Sequence, residues 1–297
     1  MGRKRASTKK RQIRVVDETI SVPAARSKTG SLIIVGGKED REGEMAILSE
    51  VVRRSNGKPI VIATVASGLP EELFGDYQRA FTKLGVKDLR HLHLARPEEA
   101  RDEDQLALFE GAETVFFTGG DQLKITTRLG GTRVADRIYS IFRNGGTIAG
   151  TSAGASVMGD LMLIGGENRE SHKVGASLMA PGLGLVTNMI IDQHFAQRGR
   201  IGRLMGAVAL NPGILGVGID ENTAMIVEGT KVSILGENAV YVVDGRSVTY
   251  TNISEASAEK TMSMHSAKVH VLSDGDRFDL VTRSPIAGES FEVLKSS

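Results

Sequence analysis

The sequence predicts an α/β fold in which a parallel sheet is covered by helices on both faces. Short aliphatic runs alternate with segments of helical spacing from residue 31 to residue 150, and this alternation is typical of βαβ units. The chain has 35 glycines against 7 prolines, which indicates tight turns between strands and helices rather than disorder. Only 4% of the residues are aromatic, so the expected core is aliphatic.

The first half of the chain predicts five strands whose carboxyl ends carry small or polar residues. Gly36 and Gly37 follow the first strand, Gly119 and Gly120 follow the fourth, and Ser152 follows the fifth. Ligands of such sheets bind at the carboxyl ends of the strands, so these residues should converge on one crevice. The predicted strands cover 31–37, 59–65, 88–94, 113–118 and 146–150, and the predicted helices cover 44–54, 71–84, 98–109 and stretches through 142.

The second half predicts a change of pattern. A polar loop is expected over 165–184, then strands over 185–191 and 215–219 with a helix over 197–210 between them. Two C-terminal β-hairpins are expected from turn residues between apolar runs. They pair 224–227 with 231–235 around Glu228-Gly229, and 239–243 with 247–251 around Asp244-Gly245. Because no stretch resembles a flexible linker, residues 29–297 are expected to form a single catalytic domain.

The composition excludes several kinds of protein. There is no cysteine, which excludes a thiol nucleophile, a disulfide and a thiolate metal site. No apolar run is long enough to span a membrane, and the N-terminus has no signal-peptide core, so a cytoplasmic protein is expected. The sequence lacks both G-x-G-x-x-G and a P-loop, which argues against a bound nucleotide. We therefore expect no cofactor and no metal.

The charges are distributed unevenly along the chain. Residues 1–14 contain seven lysines and arginines and no acidic residue, whereas the whole chain has 37 basic and 36 acidic residues. Residues 1–28 are therefore expected to form a basic, disordered tail, with binding of a polyanion as the alternative. The remainder is acidic, which argues against nucleic-acid binding as the main function.

The most informative stretch is Gly150–Gly154, which fits the pattern G-x-S-x-G. An apolar strand precedes it and a possible helix follows. A serine on a sharp turn between a strand and a helix has an exposed hydroxyl, and the flanking glycines avoid clashes in that turn. The alternative is a small-residue turn used only for packing. The motif predicts Ser152 as a nucleophile.

A serine nucleophile needs a base, and the base needs a third group that holds its tautomer. His194 is the favoured base because it closes an apolar strand; His91 and His93 are expected to pack, and His172 to be exposed. Asp220 and Glu221 close the next strand, and spacing does not decide which of them orients the histidine.

The order serine, histidine, acid differs from that of α/β-hydrolases, and no HGGG segment is present. The motif is therefore expected on a different α/β fold. Its oxyanion hole would use the N–H of Ala153 and one from Gly119 or Gly120.

Four segments together resemble the cyanophycinase family, serine peptidases grouped with dipeptidase E. They are Phe117–Gln122, Gly150–Ala155, Asp192–Arg203 and Gly218–Ala224. The resemblance implies a flavodoxin-like sheet similar to class I glutamine amidotransferases. It also implies Ser152 as nucleophile, His194 as base and Glu221 as the third member. The substrate-binding residues that it implies are Gln122, Asp192, Gln193, Arg198, Arg200 and Arg203.

The resemblance further implies cyanophycin as substrate, a poly-aspartate backbone with arginine on each β-carboxyl, and a homodimer as the assembly. Arginines can form bidentate contacts with the carboxylates of this polymer, while acidic side chains can meet its guanidinium groups. The predicted activity is that of a serine exopeptidase releasing β-Asp-Arg dipeptides through an acyl-enzyme. An aspartyl dipeptidase of the same family is the alternative. A binding protein without catalysis is a third hypothesis, disfavoured by the intact serine, histidine and glutamate.

Overall fold

The computed structural model describes residues 29–164, 178–255, 257 and 260–287. The predicted tail over 1–28, much of the predicted polar loop and His172 lie outside the described residues. Within them, parallel strands alternate with helices, which confirms the predicted α/β class. Of the helices in this part of the chain, none has the length and hydropathy that crossing a bilayer requires.

The helices follow the predicted segments, with two interruptions. The backbone of Asp102 is extended (φ −71°, ψ 140°), so the segment predicted as one helix over 98–109 divides there. Gly199 has φ 60° and divides the helix predicted over 197–210. The helices are α1 (Ala46–Ser55), α2 (Pro70–Lys83), α3 (Glu103–Ala107), α4 (Gln122–Leu129), α5 (Arg133–Arg143), α6 (Ala153–Ser156) and α7 (Ile201–Leu210), with 3-10 turns at Pro97–Arg101 and Ala196–Arg198.

The strands include all of those predicted in the first half of the chain. They are β1 (Ser31–Val35), β2 (Ile60–Ala63), β3 (Leu89–Leu92), β4 (Thr114–Phe117), β5 (Thr147–Thr151), β6 (Gly159–Leu163), β7 (Met179–Pro181), β8 (Val186–Gln193), β9 (Leu215–Ile219), β10 (Thr223–Glu228), β11 (Lys231–Gly236), β12 (Val240–Asp244), β13 (Tyr250–Thr251), β14 (Met264–His265), β15 (Lys268–Leu272), β16 (Arg277–Asp279) and β17 (Ser284–Pro285).

The strands form two main sheets. The first has the order β17-β16-β11-β10-β1-β5-β4-β2-β3, and its β1, β5, β4, β2 and β3 run parallel. The second has the order β15-β12-β9-β8-β6-β7. The strands that lead to Ser152 and to His194 therefore belong to different sheets, which the sequence pattern alone did not reveal.

One of the two predicted hairpins is present and the other is wrong. β10 pairs with β11 as predicted, and the pairing extends to Glu228 opposite Lys231. β12 instead pairs with β9 on one side and β15 on the other, while Tyr250–Thr251 pairs with β14. Strand β12 ends before Gly245. This glycine packs against Pro212 so closely that a side chain would not fit. With strands on both sides, β12 lies inside the second sheet, and Val240, Val242 and Val243 are buried.

Apolar residues of both sheets and the helices form layers. On one face of the first sheet, Ile33 and Ile62 pack with residues of α1 and α2. On the other face, Leu32 and Ile34 belong to a core shared with α4, α5 and the second sheet. Helix α7 covers the outer face of the second sheet through residues such as Leu204. The site between the two sheets therefore rests on packed strands rather than on free loops.

A substitution in β9 tests this packing. A Cβ atom on Gly218 would lie 2.5 Å from the buried ring of Phe195. We expect Gly218→Ala to lower the free energy of unfolding by about 1–3 kcal/mol, as overpacked cores do. Gly68→Ala is the control: it adds the same methyl where no atom lies within 4 Å, so we expect a change below about 0.5 kcal/mol. Urea denaturation measures both, and equal stabilities would contradict the packing described.

Candidate active site

Ser152 forms the turn between β5 and α6. Its backbone has φ 54° and ψ −111°, a conformation that is costly for a residue with a side chain. The N–H of Ser152 donates to the Val35 carbonyl over 3.1 Å, which ties the turn to the end of β1. A Cβ atom on Gly154 would lie 2.5 Å from the Phe117 carbonyl oxygen. The second glycine of the motif is therefore required by close packing against β4.

His194 and Glu221 extend from Ser152 in a chain of hydrogen bonds. Nε2 of His194 lies 2.9 Å from Ser152 Oγ, and its Nδ1 lies 2.7 Å from Glu221 Oε1. An ionised carboxylate only accepts, so Nδ1 carries the proton and Nε2 is free to accept from the serine hydroxyl. This arrangement can activate a serine for nucleophilic attack.

The choice between Asp220 and Glu221, which spacing left open, has a geometric answer. Both carboxylate oxygens of Asp220 accept hydrogen bonds from backbone N–H groups, of Ala196 at 2.8 Å and of Ala239 at 3.3 Å. Asp220 therefore joins two loops of the second sheet. Glu221 is the acidic residue in contact with the imidazole.

The surroundings favour a neutral histidine beside an ionised glutamate. Burial lowers the pKa of His194 below its usual range, against the opposing effect of the hydrogen bond that His194 donates to Glu221, and the nearby Arg198 lowers it further. Burial alone would raise the pKa of Glu221, but hydrogen bonds from His194 and Lys38 bring it below its usual range. A neutral imidazole can accept the proton of a serine.

The β1–α1 loop (residues 36–45) contacts His194 through the backbone of its two glycines. The Gly36 carbonyl accepts the N–H of His194 over 2.7 Å. Gly37 has φ 106°, and a Cβ atom on it would lie 2.3 Å from the imidazole Cε1. The sequence predicted that these glycines lie in the crevice, but it did not predict their contact with His194. The pair of glycines at the end of a strand was the one local pattern that pointed to a close approach there.

The same loop also contacts Glu221. Nζ of Lys38 lies 3.1 Å from Glu221 Oε1, the oxygen that accepts from His194. The Gly37 carbonyl accepts the N–H of Asn222 over 2.9 Å, which fixes the position after Glu221. Nothing in the sequence pattern distinguished Lys38 from other surface lysines, and it was missed.

The backbone groups predicted for an oxyanion hole lie next to Ser152. A Cβ atom on Gly119 would lie 3.4 Å from Ser152 Cβ, so the two residues are neighbours. Across the described part of the chain, no protein acceptor takes the N–H groups of Gly119, Gly120 or Ala153. These three roles stay predictions.

Two of the predicted substrate-binding residues, Asp192 and Arg203, are buried and paired with each other. Arg203 donates to both carboxylate oxygens of Asp192, with Nε 2.6 Å from Oδ2. Nη1 of Arg200 lies 3.2 Å from Asp192 Oδ1 and 2.6 Å from the Gln193 carbonyl oxygen, and burial lowers the pKa of Arg200 to about 10. Direct contact of Asp192 or Arg203 with substrate stays a prediction.

The other predicted residues lie closer to solvent or to Ser152. Gln193 Oε1 is 3.5 Å from Ser152 Oγ, a long contact. Arg198 is exposed, and its guanidinium has no partner among the described residues. Gln122 donates from Nε2 to the Leu163 carbonyl over 2.8 Å, which links α4 to the end of β6.

Known proteins share the sequence over most of its length. The sequence pattern of peptidase family S51 matches residues 32–235. A cyanophycinase from Geminocystis herdmanii is 36% identical over 262 residues, which cover 87% of this chain and 96% of the relative. A cyanophycinase from Trichormus variabilis is 35% identical over 285 residues, covering 91% and 96%.

A solved structure extends the likeness to the fold. The crystal structure of a peptidase from an acI-B1 Actinobacterium matches with a TM-score of 0.66 over 85% of this chain and 98% of that chain. Its sequence identity is 20%, so this likeness concerns the fold alone. From the match over 32–235 and from relatives that align along nearly their whole length, the chain belongs to peptidase family S51 and is a serine-type peptidase.

Proposed function

We propose that this peptidase hydrolyses cyanophycin and releases β-Asp-Arg dipeptides from a chain end. The observation that carries the proposal is the hydrogen-bond chain from Ser152 through His194 to Glu221. The polymer is suggested by the relatives that are cyanophycinases and align over most of both chains.

In the proposed reaction Ser152 Oγ attacks an aspartyl carbonyl of the polymer backbone. His194 Nε2 takes the hydroxyl proton, and the Glu221 carboxylate stabilises the resulting imidazolium. The tetrahedral oxyanion accepts hydrogen bonds from the N–H of Ala153 and of Gly119 or Gly120. His194 then gives its proton to the departing amine, which leaves an acyl-enzyme on Ser152.

The second half of the reaction returns the enzyme to its starting state. Water attacks the acyl-enzyme while His194 Nε2 accepts one of its protons. The tetrahedral intermediate collapses, the carboxylate product leaves, and His194 returns the proton to Ser152 Oγ. No group other than these side chains, the backbone N–H groups and water is required by this sequence of steps.

We propose two roles for the predicted charged residues: some bind the polymer, and others hold those residues in position. Arg198 is exposed next to His194 and has no partner among the described residues, so it suits a carboxylate of the polymer. The buried Nε of Arg200 also has no partner in the described part of the chain. Asp192 accepts hydrogen bonds from both Arg203 and Arg200, so we propose that Asp192 and Arg203 hold Arg200 and Gln193 in place beneath the substrate.

The direct test incubates the full chain with insoluble cyanophycin and identifies the soluble products by mass. We expect β-Asp-Arg from the earliest time points. Ser152→Ala should lose activity by about 10⁴-fold or more while keeping its melting temperature. A ladder of longer soluble fragments would contradict chain-end attack. Cleavage of Asp-X dipeptides without attack on the polymer would favour the dipeptidase alternative, and turnover retained by Ser152→Ala would rule out the mechanism.

The close approach of Gly37 to His194 gives a second test. Gly37→Ala places a methyl group where the imidazole now lies, and it puts an alanine at φ 106°. A catalytic group displaced by about 1 Å can cost about 100-fold in rate, so we expect kcat to fall by at least that factor. The control is Gly75→Ala in α2, where the nearest atom to the added Cβ is the flexible Arg79 side chain at 3.6 Å. Equal kcat values for the two variants would contradict the geometry.

The two tasks proposed for the arginines are separable by experiment. Arg198→Met should raise KM about tenfold or more, since a hydrogen bond to a charged group contributes about 1.5–3 kcal/mol, and should leave the melting temperature unchanged. Arg203→Met leaves Asp192 buried without its bidentate partner, so the free energy of unfolding should fall by about 3–5 kcal/mol. Steady-state kinetics on cyanophycin and urea denaturation measure these effects. A destabilised Arg198→Met with normal KM would reverse the assignment.

A further inference from the structure

A buried carboxylate that the proposed reaction does not use lies behind Ser152. Glu39, in the β1–α1 loop, is 4% exposed. The hydroxyl of Tyr77 in α2 donates to Glu39 Oε1, and the hydroxyl of Thr151 at the end of β5 donates to Oε2. Glu39 thus joins a loop, a helix and the strand that ends at Ser152.

The hydrogen-bond partners that the structure gives this carboxyl group carry no positive charge. Among the described residues, Glu39 forms no ion pair, and its hydrogen bonds come from two neutral hydroxyls. Burial raises the pKa of Tyr77 well above its ordinary value, and the neighbouring Glu39 raises it further. Tyr77 therefore remains a donor. A carboxyl group that is taken out of water without a cationic partner is costly to the fold, so stability alone does not account for Glu39.

The position of Thr151 indicates what the carboxylate does. Thr151 is 3% exposed and directly precedes Ser152, whose backbone has φ 54° and ψ −111°. A strained backbone persists only when its surroundings hold it from several sides. The N–H of Ser152 is held by the Val35 carbonyl. Glu39 holds the preceding side chain, from a loop that also holds His194 through the Gly36 carbonyl.

Resting on the proposed role of Ser152 as nucleophile, we infer that Glu39 is a positioning residue, which acts through Thr151 to set the separation between Ser152 Oγ and His194 Nε2. One rigid loop then fixes both reacting atoms. Glu39 reaches the nucleophile through the Thr151 hydroxyl and the base through the backbone of Gly36. Neither contact touches the substrate.

The test removes or keeps the hydroxyl of Thr151. Thr151→Val preserves the shape but not the hydrogen bond, so we expect kcat on cyanophycin to fall about tenfold or more with KM within about twofold. Thr151→Ser keeps the hydroxyl and should retain most of the wild-type kcat. A merely structural threonine would not give this difference between valine and serine.

Thr147→Val is the matched control. Thr147 lies at the other end of β5, is also 3% exposed, and forms a buried hydroxyl–hydroxyl bond of 3.0 Å with Ser31. We expect it to lower the melting temperature about as much as Thr151→Val does, with kcat unchanged. Equal kcat losses in the two valine variants, or a loss in Thr151→Ser as large as in Thr151→Val, would overturn the inference.

Crystal structures of the same variants give a readout that does not depend on the substrate. The separation of Ser152 Oγ and His194 Nε2 should stay near 2.9 Å in wild type and Thr151→Ser, and should lengthen in Thr151→Val. An unchanged separation in Thr151→Val would contradict the positioning role. If the wild-type protein releases no dipeptide from cyanophycin, the proposed function fails, and this distance still decides the role of Glu39.

Discussion

The site depends on the absence of one side chain. The imidazole of His194 occupies the volume that a Cβ atom on Gly37 would need, and this contact brings the histidine over the end of β1. Because the next residues of the same loop contact Glu221 and Thr151, the loop contacts His194, Glu221 and the residue that precedes Ser152. A loop can position such groups when its own backbone is fixed, and here backbone hydrogen bonds to His194 and Asn222 fix it.

The charged groups near the site divide by burial. Asp192, Arg200 and Arg203 are buried and bonded to one another instead of to water, and the cost of removing such charges from water offsets much of what their attraction contributes to stability. Arg198, in contrast, is exposed to water. The 192–203 segment that carries much of the family resemblance therefore contains both buried, paired charges and an exposed arginine. A motif read from sequence does not separate these two environments, because arginine occurs in both.

Local patterns predicted most of the fold and the centre of the site. Apolar runs ending in glycine or polar residues located β1 to β5, the turn at Ser152 and the strand that leads to His194. Pairing between distant segments leaves no local signal, so the second sheet was not foreseen and β12 was assigned to a hairpin that it does not form. Glu39 was not singled out for the same reason: its partners come from a helix and a strand far along the chain. Spacing likewise did not decide between Asp220 and Glu221, because the contact of Glu221 with His194 depends on the path of the chain after β9; the family resemblance alone implied Glu221.

The order of strands in the first sheet has a consequence for synthesis of the protein. Strand β1 is made first, but its neighbours are β5 on one side and β10 on the other, and β10 comes after Glu221 in the chain. Pairings between such distant segments form slowly and late. During translation the amino-terminal βαβ units can begin to fold, yet β1 gains its second neighbour only after residue 228 has been added. A ribosome-bound chain therefore carries Ser152 before β10 has been synthesised, so the sheet that holds the turn at Ser152 is completed only later in translation.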